Sequence, residues 1–417
     1  MKFHERVFES FKHFFSLRIR KLYKENTTDN ENKNFFHKKI FNILNVYCFL
    51  FSISLVLQNI FKCIHMDTQK RIKAFVELGK ILNNRKKYQN TSTKSTIVKA
   101  LEKLEDCILE EQHFNPWFIP VYIEESIKGI IKMLDPTSLN AWLYKYPLQE
   151  KKHSHRIGVI MAGNIPMVGF HDFLCVLLAG DIFIGKLSSN DKHLLPALAD
   201  VLCQIEGEFK DYIHFTEDKL PAIDKIIATG SNNSARYFNY YFSKYPCIIR
   251  KHCNSLALLD GTESEMELKA LINDMTLYFG LGCRSVSKLY VPPDYDFCTL
   301  FRILDDFKSI YESHHTYLNN LEYQKTIHLL NKIPFYDAGI MLFKEHTSAA
   351  SSISVIHYEF YKDADKLWDD LTQHQDEIQC LLSNRIQVND TLRLGQSQYP
   401  EVWEYANNID TLSFLLL

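Results

Sequence analysis

The sequence predicts an α/β protein built from two doubly wound parallel sheets, and three observations lead to that prediction. Short apolar segments with strand character alternate with helix-length amphipathic segments from Arg156 onward. The alternation starts again near residue 255, which divides the chain into two domains. With 417 residues, 46% of them hydrophobic, the chain is long enough for two or three domains that each bury a core.

The first 65 residues differ in composition from the rest. They contain no Gly, Pro or Ala, whereas all 14 Gly and all 12 Pro of the chain follow them. Residues 41–61 are uncharged and match the roughly 20 residues that span a bilayer, but Asn, Gln and Ser interrupt them. We expect residues 1–65 to be an extension outside the functional protein, such as a translated upstream region. Membrane anchoring by residues 41–61 is the less favoured alternative.

The remaining elements follow in order. Residues 66–135 are predicted to be helical, because apolar residues recur at i, i+3, i+4 and i+7. The first series of strands is RIGVIMAG, DIFIGKL and DKIIATG, each followed by a helix. The second series is NSLALLDG, SVSKLYVP, AGIMLFKE and SVIHYEFY. The predicted domains are therefore residues 66–255 and 256–395, with a C-terminal segment at 396–417. Its final LSFLLL is predicted to be an apolar edge strand.

Composition and charge exclude several classes of function. The formal net charge is −2 and no basic block is present, so nucleic-acid binding has no electrostatic support. The 10 cysteines include no CxxC pair, which indicates free thiols in a reducing cytoplasm. The closely spaced histidines do not match a structural zinc spacing, so no metal site is predicted.

Four segments contain residues that could bind a ligand or take part in a reaction. Asn164 lies in a Gly-Asn-Ile-Pro turn after the first strand, where its amide would face the carboxyl end of the sheet. Lys186 ends the next strand and could meet a ribose or phosphate. Gly230 and Ser231 precede a helix, whose N-terminal N–H groups suit a pyrophosphate. Cys283 lies in a Gly-rich bend beside Arg284, whose charge would lower the thiol pKa and favour a nucleophilic thiolate. Each feature alone also fits an ordinary turn, lysine, helix cap or structural cysteine.

The order of these four segments resembles the aldehyde dehydrogenase superfamily. Within it, RIGVIMAGNIPMVGFHDFLCVLLAGDIFIGKLSSND and YFGLGCRSVSKLYVP resemble the bacterial acyl-CoA reductases, the long-chain type associated with luminescence operons. The resemblance covers residues from about 130 to 417, and more loosely from Met66. It implies an aldehyde-dehydrogenase-like fold, with an NADP(H)-binding domain at 66–255 and a catalytic domain at 256–395.

The resemblance also implies roles for individual residues. Cys283 matches the nucleophile and Asn164 the side-chain donor to the oxyanion. Lys186 matches the lysine that contacts the adenosine ribose of the cofactor. Gly230 and Ser231 match the pyrophosphate-binding pair.

Three departures from the family pattern are informative. Ser189 stands where NAD-using members have a glutamate that would repel a 2′-phosphate, so the cofactor is expected to be NADPH. Arg250, between Ile249 and Lys251, occurs where hydrolytic members place a general-base glutamate, so water should be activated poorly. The Glu-Ile-Phe-Gly-Pro segment of the family has no clear counterpart around 349–353. His171 and His252 are the candidates for a base that generates the thiolate.

The implied function is NADPH-dependent reduction of a fatty acyl-CoA to the aldehyde through a thioester on Cys283. One alternative is an aldehyde dehydrogenase that oxidises aldehydes, and another is a non-catalytic acyl-binding or assembly protein of the same fold. The expected partners are acyl-CoA as substrate and an enzyme that transfers the acyl group. The C-terminal strand would join a second copy in a homo-oligomer, and the protein is expected to be cytoplasmic.

Overall fold

The computed structural model describes residues 66–88, 95–148, 153–385 and 391–417. Residues from His65 to Leu417 form one compact unit. The predictions for residues 1–65, including the candidate anchor at 41–61, lie outside the described residues. Within the described ranges, no helix combines the length and the hydropathy needed to cross a bilayer.

Among the described residues, four helices precede the first strand, in agreement with the apolar periodicity. Ser95 caps the second helix through a hydrogen bond from the Val98 N–H, and prolines open the third and fourth at a position where a missing N–H costs little. Each helix buries one apolar face against the first sheet or its helices. The helices are α1 (Thr68–Tyr88), α2 (Thr96–Phe114), α3 (Pro120–Met133) and α4 (Pro136–Leu143).

The first sheet has five parallel strands in the order β3-β2-β1-β4-β5. The strands are β1 (Arg156–Ile160), β2 (Ile182–Lys186), β3 (Ile213–Thr216), β4 (Lys225–Thr229) and β5 (Cys247–Arg250). The connecting helices are α5 (Phe170–Leu178), α6 (Leu194–Ile205) and α7 (Asn232–Phe242). From β1 the chain adds β2 and β3 on one side, and then β4 and β5 on the other side of β1. Such a switch in strand order opens a ligand-binding crevice at the carboxyl ends of the strands.

The second sheet has six strands in the order β11-β6-β7-β10-β9-β8, parallel except for the short β8. The strands are β6 (Asn254–Leu258), β7 (Val286–Val291), β8 (Tyr336–Asp337), β9 (Leu342–Glu345), β10 (Val355–Phe360) and β11 (Ile378–Leu382). Its helices are α8 (Glu265–Thr276), α9 (Cys298–Leu304), α10 (Lys308–Glu312), α11 (His315–Leu330) and α12 (Ala364–Gln373). The predicted α/β class and two-sheet arrangement are confirmed. The sequence analysis missed four short strands, β3, β5, β8 and β11.

The predicted C-terminal strand is wrong, because residues Thr411–Leu416 form a helix, α13. Asp410 caps it by accepting a hydrogen bond from the Ser413 N–H at 2.9 Å. Leu412 and Leu415, three residues apart, are fully buried in the core of the first sheet. Spacing of i and i+3 suits a helix, whereas a strand would turn these two side chains to opposite faces.

Candidate active site

Cys283 lies in a tightly wound loop between α8 and β7. Three consecutive residues of this loop, Tyr278, Phe279 and Gly280, have positive φ angles of 54°, 56° and 73°. Such backbone conformations are costly for side chains other than glycine and cluster at functional sites. Ser255 at the start of β6 donates a hydrogen bond from its hydroxyl to the Cys283 carbonyl at 2.9 Å. The loop is thereby fixed to β6, an inner strand of the second sheet.

The turn that contains Asn164 reaches this loop from the first sheet. Asn164 donates from its side-chain amide to the Leu281 carbonyl at 2.8 Å, two residues before Cys283. The turn also contains Met167, which has a positive φ of 54° and donates its N–H to Asp191 Oδ2 at 2.7 Å. The two predicted catalytic residues, distant in sequence, are therefore brought together where the two sheets meet.

Burial raises the pKa of the Cys283 thiol, and the positive charges of Arg284 and Arg250 offset only part of this rise. The sequence analysis expected the positive charge of Arg284 and an oriented backbone to lower this pKa, whereas desolvation has the larger effect. Removing a thiolate from water costs more free energy than the nearby charges return.

Arg250 occupies the position of the absent general base and forms a buried ion pair. Its Nη1 donates to both carboxylate oxygens of Asp172, at 2.9 and 2.7 Å, and its Nη2 donates to the Thr411 hydroxyl at 2.6 Å. Both charged side chains are buried. A guanidinium that is fixed by two partners cannot accept a proton from water. Neither Asp172 nor Thr411 was singled out by the sequence analysis, because α5 and α13 are remote in the chain.

The two candidate bases have different positions. His171 is half-buried, donates from Nε2 to the Val402 carbonyl at 2.7 Å and directs Nδ1 toward the Cys175 thiol at 3.9 Å. Desolvation lowers the pKa of His171. These contacts tie the side chain to α5 and to the C-terminal part of the chain. His252 is exposed and lines a cavity beside the Cys283 loop. Of the two, only His252 borders open space near the thiol.

The predicted cofactor residues occur at the switch point of the first sheet. Gly230 and Ser231 follow β4, and a Cβ on Gly230 would lie only 2.9 Å from the Cβ of Ser234. Ser231 caps α7 by accepting a hydrogen bond from the Ser234 N–H at 3.2 Å. Gly163 follows β1, and a Cβ there would collide with Ser188. These close approaches keep both sides of the crevice free of side chains, which suits the pyrophosphate of a dinucleotide.

Lys186 and Ser189 lie at the end of β2. Lys186 Nζ donates to the carbonyls of Glu217 and Asp218 at 2.9 and 2.8 Å, which fixes the ammonium at the ends of β2 and β3. Ser189 is exposed and neutral, and its hydroxyl donates to the Asn190 side chain at 3.4 Å. The glycines at the switch point and the neutral Ser189 beside Lys186 therefore fit a dinucleotide cofactor.

The described residues thus combine two mainly parallel sheets, a crevice at the switch point of the first sheet and a half-buried cysteine in a loop of the second. The chain has the fold of the aldehyde dehydrogenases. It is similar to aldehyde dehydrogenase 21 from Physcomitrella patens, solved with the product succinate, at 11% identity and a TM-score of 0.54, with 84% of this chain and 89% of that chain covered. A putative methylmalonate-semialdehyde dehydrogenase from Sinorhizobium meliloti, complexed with NAD, is similar at 12% identity and a TM-score of 0.51, with 77% and 73% covered.

The family model of acyl-CoA reductase (LuxC) matches residues 65–296, which is more than half of the chain. The chain therefore belongs to the acyl-CoA reductase (LuxC) family. A search of curated proteins found no match.

Proposed function

We propose that this protein reduces a fatty acyl-CoA to the aldehyde with NADPH, through an acyl group carried on Cys283. The observation that supports this most directly is the hydrogen bond of Asn164 to the Leu281 carbonyl, which joins the Asn164 turn to the loop that contains Cys283. The cofactor residues at the switch point and the absence of a carboxylate at position 250 agree with it.

In the proposed reaction the Cys283 thiolate attacks the carbonyl carbon of the acyl thioester. The negative charge on the carbonyl oxygen is held by the Asn164 amide and the Cys283 backbone N–H, and CoA leaves as a thiolate that takes up a proton. One such donor typically contributes roughly 3–4 kcal/mol to the transition state. Because the thiol pKa is raised, a base must accept its proton, and His252 is the residue we assign to this role.

A nicotinamide cofactor, when bound near Lys186, Ser189, Gly230 and Ser231, supplies the hydride that brings the acyl group to the aldehyde level. The thiohemiacetal on Cys283 then collapses, releasing aldehyde and restoring the thiolate. Arg250 keeps a carboxylate out of the position from which water would be activated. The acyl group on Cys283 is thereby protected from hydrolysis to the acid.

The test incubates purified protein with acyl-CoA and NADPH, follows the loss of NADPH absorbance and traps the product with a hydrazine. We expect consumption of NADPH and formation of aldehyde in the wild type, and neither in Cys283→Ala. Undiminished consumption in Cys283→Ala would reject the proposal. Acid as the product would favour aldehyde oxidation.

Cofactor choice is tested by exchanging one side chain. Ser189→Glu should lower kcat/KM for NADPH by at least about tenfold relative to NADH, because a carboxylate repels a 2′-phosphate and binds a 2′-hydroxyl. Ser189→Ala is the matched control and should keep the preference for NADPH. An unchanged preference in Ser189→Glu would contradict the assignment of Ser189.

A further inference from the structure

The chain returns from β9 to β10 through the β9–β10 crossover, residues 346–354. These two strands are parallel, so the chain has to travel back along the sheet before it enters β10. Such a connection usually takes about a dozen residues or more and often contains a helix. The β9–β10 crossover has nine residues, none of them helical. Its main-chain carbonyls must therefore find hydrogen-bond donors outside a helix.

Three neighbouring side chains of the second sheet bind three consecutive carbonyls of the β9–β10 crossover, those of residues 347–349. Lys288 Nζ donates to the first carbonyl at 2.5 Å, and the Ser287 hydroxyl donates to the third at 2.8 Å. His357 Nδ1 lies 2.8 Å from the second. Because a carbonyl only accepts, that nitrogen carries the hydrogen. The start of the crossover is therefore bound to β7 and β10.

Lys288 is the charged member of this set, since burial lowers the pKa of His357 to about 4. The Lys288 side chain is fully buried, and its ammonium also pairs with the Glu359 carboxylate at 2.5 Å and lies 4.5 Å from the centre of the Tyr290 ring. A buried charge is costly unless its partners are fixed around it. Hydrogen bonds from a charged donor are also about twice as strong as those between neutral groups. Lys288 should therefore bind the crossover more firmly than Ser287 does.

The far end of the β9–β10 crossover has its own anchor. Ser354 has a positive φ of 62°, and its hydroxyl donates to the Asn320 side chain at 3.0 Å. Residues 351–353 lie between the two anchors and line the cavity beside the Cys283 loop. Gly282 of that loop lines the same cavity. Residues 351–353 and the Cys283 loop therefore share one cavity, and the crossover is held at both ends.

We propose that Lys288 is a positioning residue for the reaction at Cys283, because it holds the start of the β9–β10 crossover and thereby fixes residues 351–353 at the cavity. Lys288 is not among the residues that line the cavity, so it acts through the crossover and not on the reactants. A displacement of about 1 Å caused by a remote substitution can slow a reaction by about 10²-fold. This inference rests on the proposed acylation of Cys283.

The test replaces the ammonium by an uncharged side chain of similar length, in Lys288→Met. Acylation of Cys283 by an acyl-CoA thioester without NADPH, followed on the Cys283 peptide by mass spectrometry, should slow by about 10- to 100-fold. Alkylation of the same peptide by iodoacetamide, a small reagent that needs no ordered cavity, should stay within about threefold of the wild type. Equal losses in both rates, or acylation at the wild-type rate, would overturn the inference.

Lys344 provides a matched control. Lys288 on β7 and Lys344 on β9 are both paired with His357, which lies between them on β10. Among the described residues no hydrogen bond joins the Lys344 ammonium to the β9–β10 crossover, so Lys344→Met removes the same charge but no anchor. This variant should be acylated at the wild-type rate. Equal slowing in both methionine variants would assign the effect to charge near the site and reject the positioning role.

Hydrogen exchange measured by mass spectrometry locates the change in the chain. In Lys288→Met the amides of residues 346–354 should exchange at least about tenfold faster, while those of β1 and β2 keep the wild-type rate. Faster exchange throughout the protein would show general destabilisation and would also reject the positioning role. Ser287→Ala removes one neutral donor and should cause smaller changes of about threefold, in exchange and in acylation alike. It takes the place of Lys288→Met if that variant does not fold.

The outcomes separate this inference from the proposed function. Failure of every thioester to acylate Cys283 in the wild type would reject the proposed function and this inference with it. Acylation of the wild type that neither Lys288→Met nor Ser287→Ala changes would reject only the positioning role of Lys288.

Discussion

The two loops that meet at the candidate site are held in place by different parts of the molecule. The Asn164 turn is fixed from nearby, since Asp191 accepts the Met167 N–H at 2.7 Å and the Ser126 hydroxyl donates to the Pro166 carbonyl at 2.7 Å. The Cys283 loop is fixed from far along the chain by a C-terminal segment, residues 394–417.

The contacts of the C-terminal segment with the Cys283 loop are specific. Arg284 donates to the carbonyls of Ser397 and Glu404 at 3.3 and 3.4 Å, and Gln398 donates to the Ser285 hydroxyl at 3.2 Å. The comparison indicates that the Asn164 turn, the oxyanion side of the site, depends on contacts within the first part of the chain. The Cys283 loop, the thiol side, depends on contacts with the C-terminal segment. The following substitutions test that distinction.

The largest effect is expected from the buried ion pair that joins Asp172 on α5 to Arg250 on β5. Asp172→Ala leaves Arg250 buried and uncompensated, which should lower the free energy of unfolding by about 3–5 kcal/mol. Urea denaturation measures it. The exposed pair of Lys269 and Asp306, 3.6 Å apart, offers a control, since Asp306→Ala should cost less than about 1 kcal/mol. Equal losses in both variants would show that the buried pair has no special role.

On the oxyanion side, Asn164→Ala should reduce kcat by about 10²–10³, because one donor to the developing negative charge is lost. Alkylation of Cys283 by iodoacetamide needs no oxyanion donor, so its rate should stay within about twofold of the wild type. A parallel loss of both rates would mean that Asn164 shapes the Cys283 loop instead of binding the oxyanion.

On the thiol side, Gln398→Ala should slow the reaction of Cys283 without changing how the cofactor binds. The change removes bonds to the Asp274 carbonyl and the Ser285 hydroxyl, and leaving buried polar groups unpaired costs about 1–3 kcal/mol. Acylation of Cys283 should slow while the KM for NADPH stays the same. Gln396→Ala, at an exposed position, is the control. Equal slowing in both variants would contradict the remote support.

The smallest effect is a pH dependence from the Asn164 turn. Burial raises the pKa of Asp191 to about 7, with Glu111 and His193 as its charged neighbours. Among the described residues its Oδ1 has no hydrogen-bond partner. Since the folded state binds this proton more tightly than the unfolded state, wild-type stability falls as the pH rises from about 4 to about 7.

Asp191→Asn removes that titration. Relative to the wild type, the variant should gain about 1 kcal/mol of unfolding free energy per pH unit within this window. Chemical denaturation at pH 5, 6 and 7 measures the difference. A constant difference across these pH values would exclude Asp191 as the titrating group.

Much of the fold was predictable because its strands are apolar and bounded by glycines or charged residues. RIGVI and IFIGK became β1 and β2 as predicted. The strands CIIR and IQCLL, four and five residues long, were missed because runs this short fit several structures. LSFLLL was mistaken for a strand for the same reason. Its helical structure depends on Asp410 and on a core that the sequence alone does not reveal.

The sequence located two candidate site residues relative to the strands, since Lys186 ends β2 and Gly230 follows β4. The pairing of Asn164 with the Cys283 loop followed from the family resemblance and not from spacing. The raised pKa of Cys283 was not predictable, because burial depends on how the two sheets meet. The pairing of Arg250 with Asp172 was missed for a similar reason, since it joins residues 78 positions apart.

The C-terminal segment, residues 394–417, also affects how the protein loses activity on heating. It holds Arg284 through main-chain carbonyls and Arg250 through the Thr411 hydroxyl, yet its α-helix has six residues. Short terminal elements open at lower free energy than a whole domain. Release of this segment would remove the Ser397 and Glu404 carbonyls from Arg284 and the Thr411 hydroxyl from Arg250 while the sheets stay folded. Activity should therefore be lost on heating several degrees before the circular dichroism of the two sheets changes.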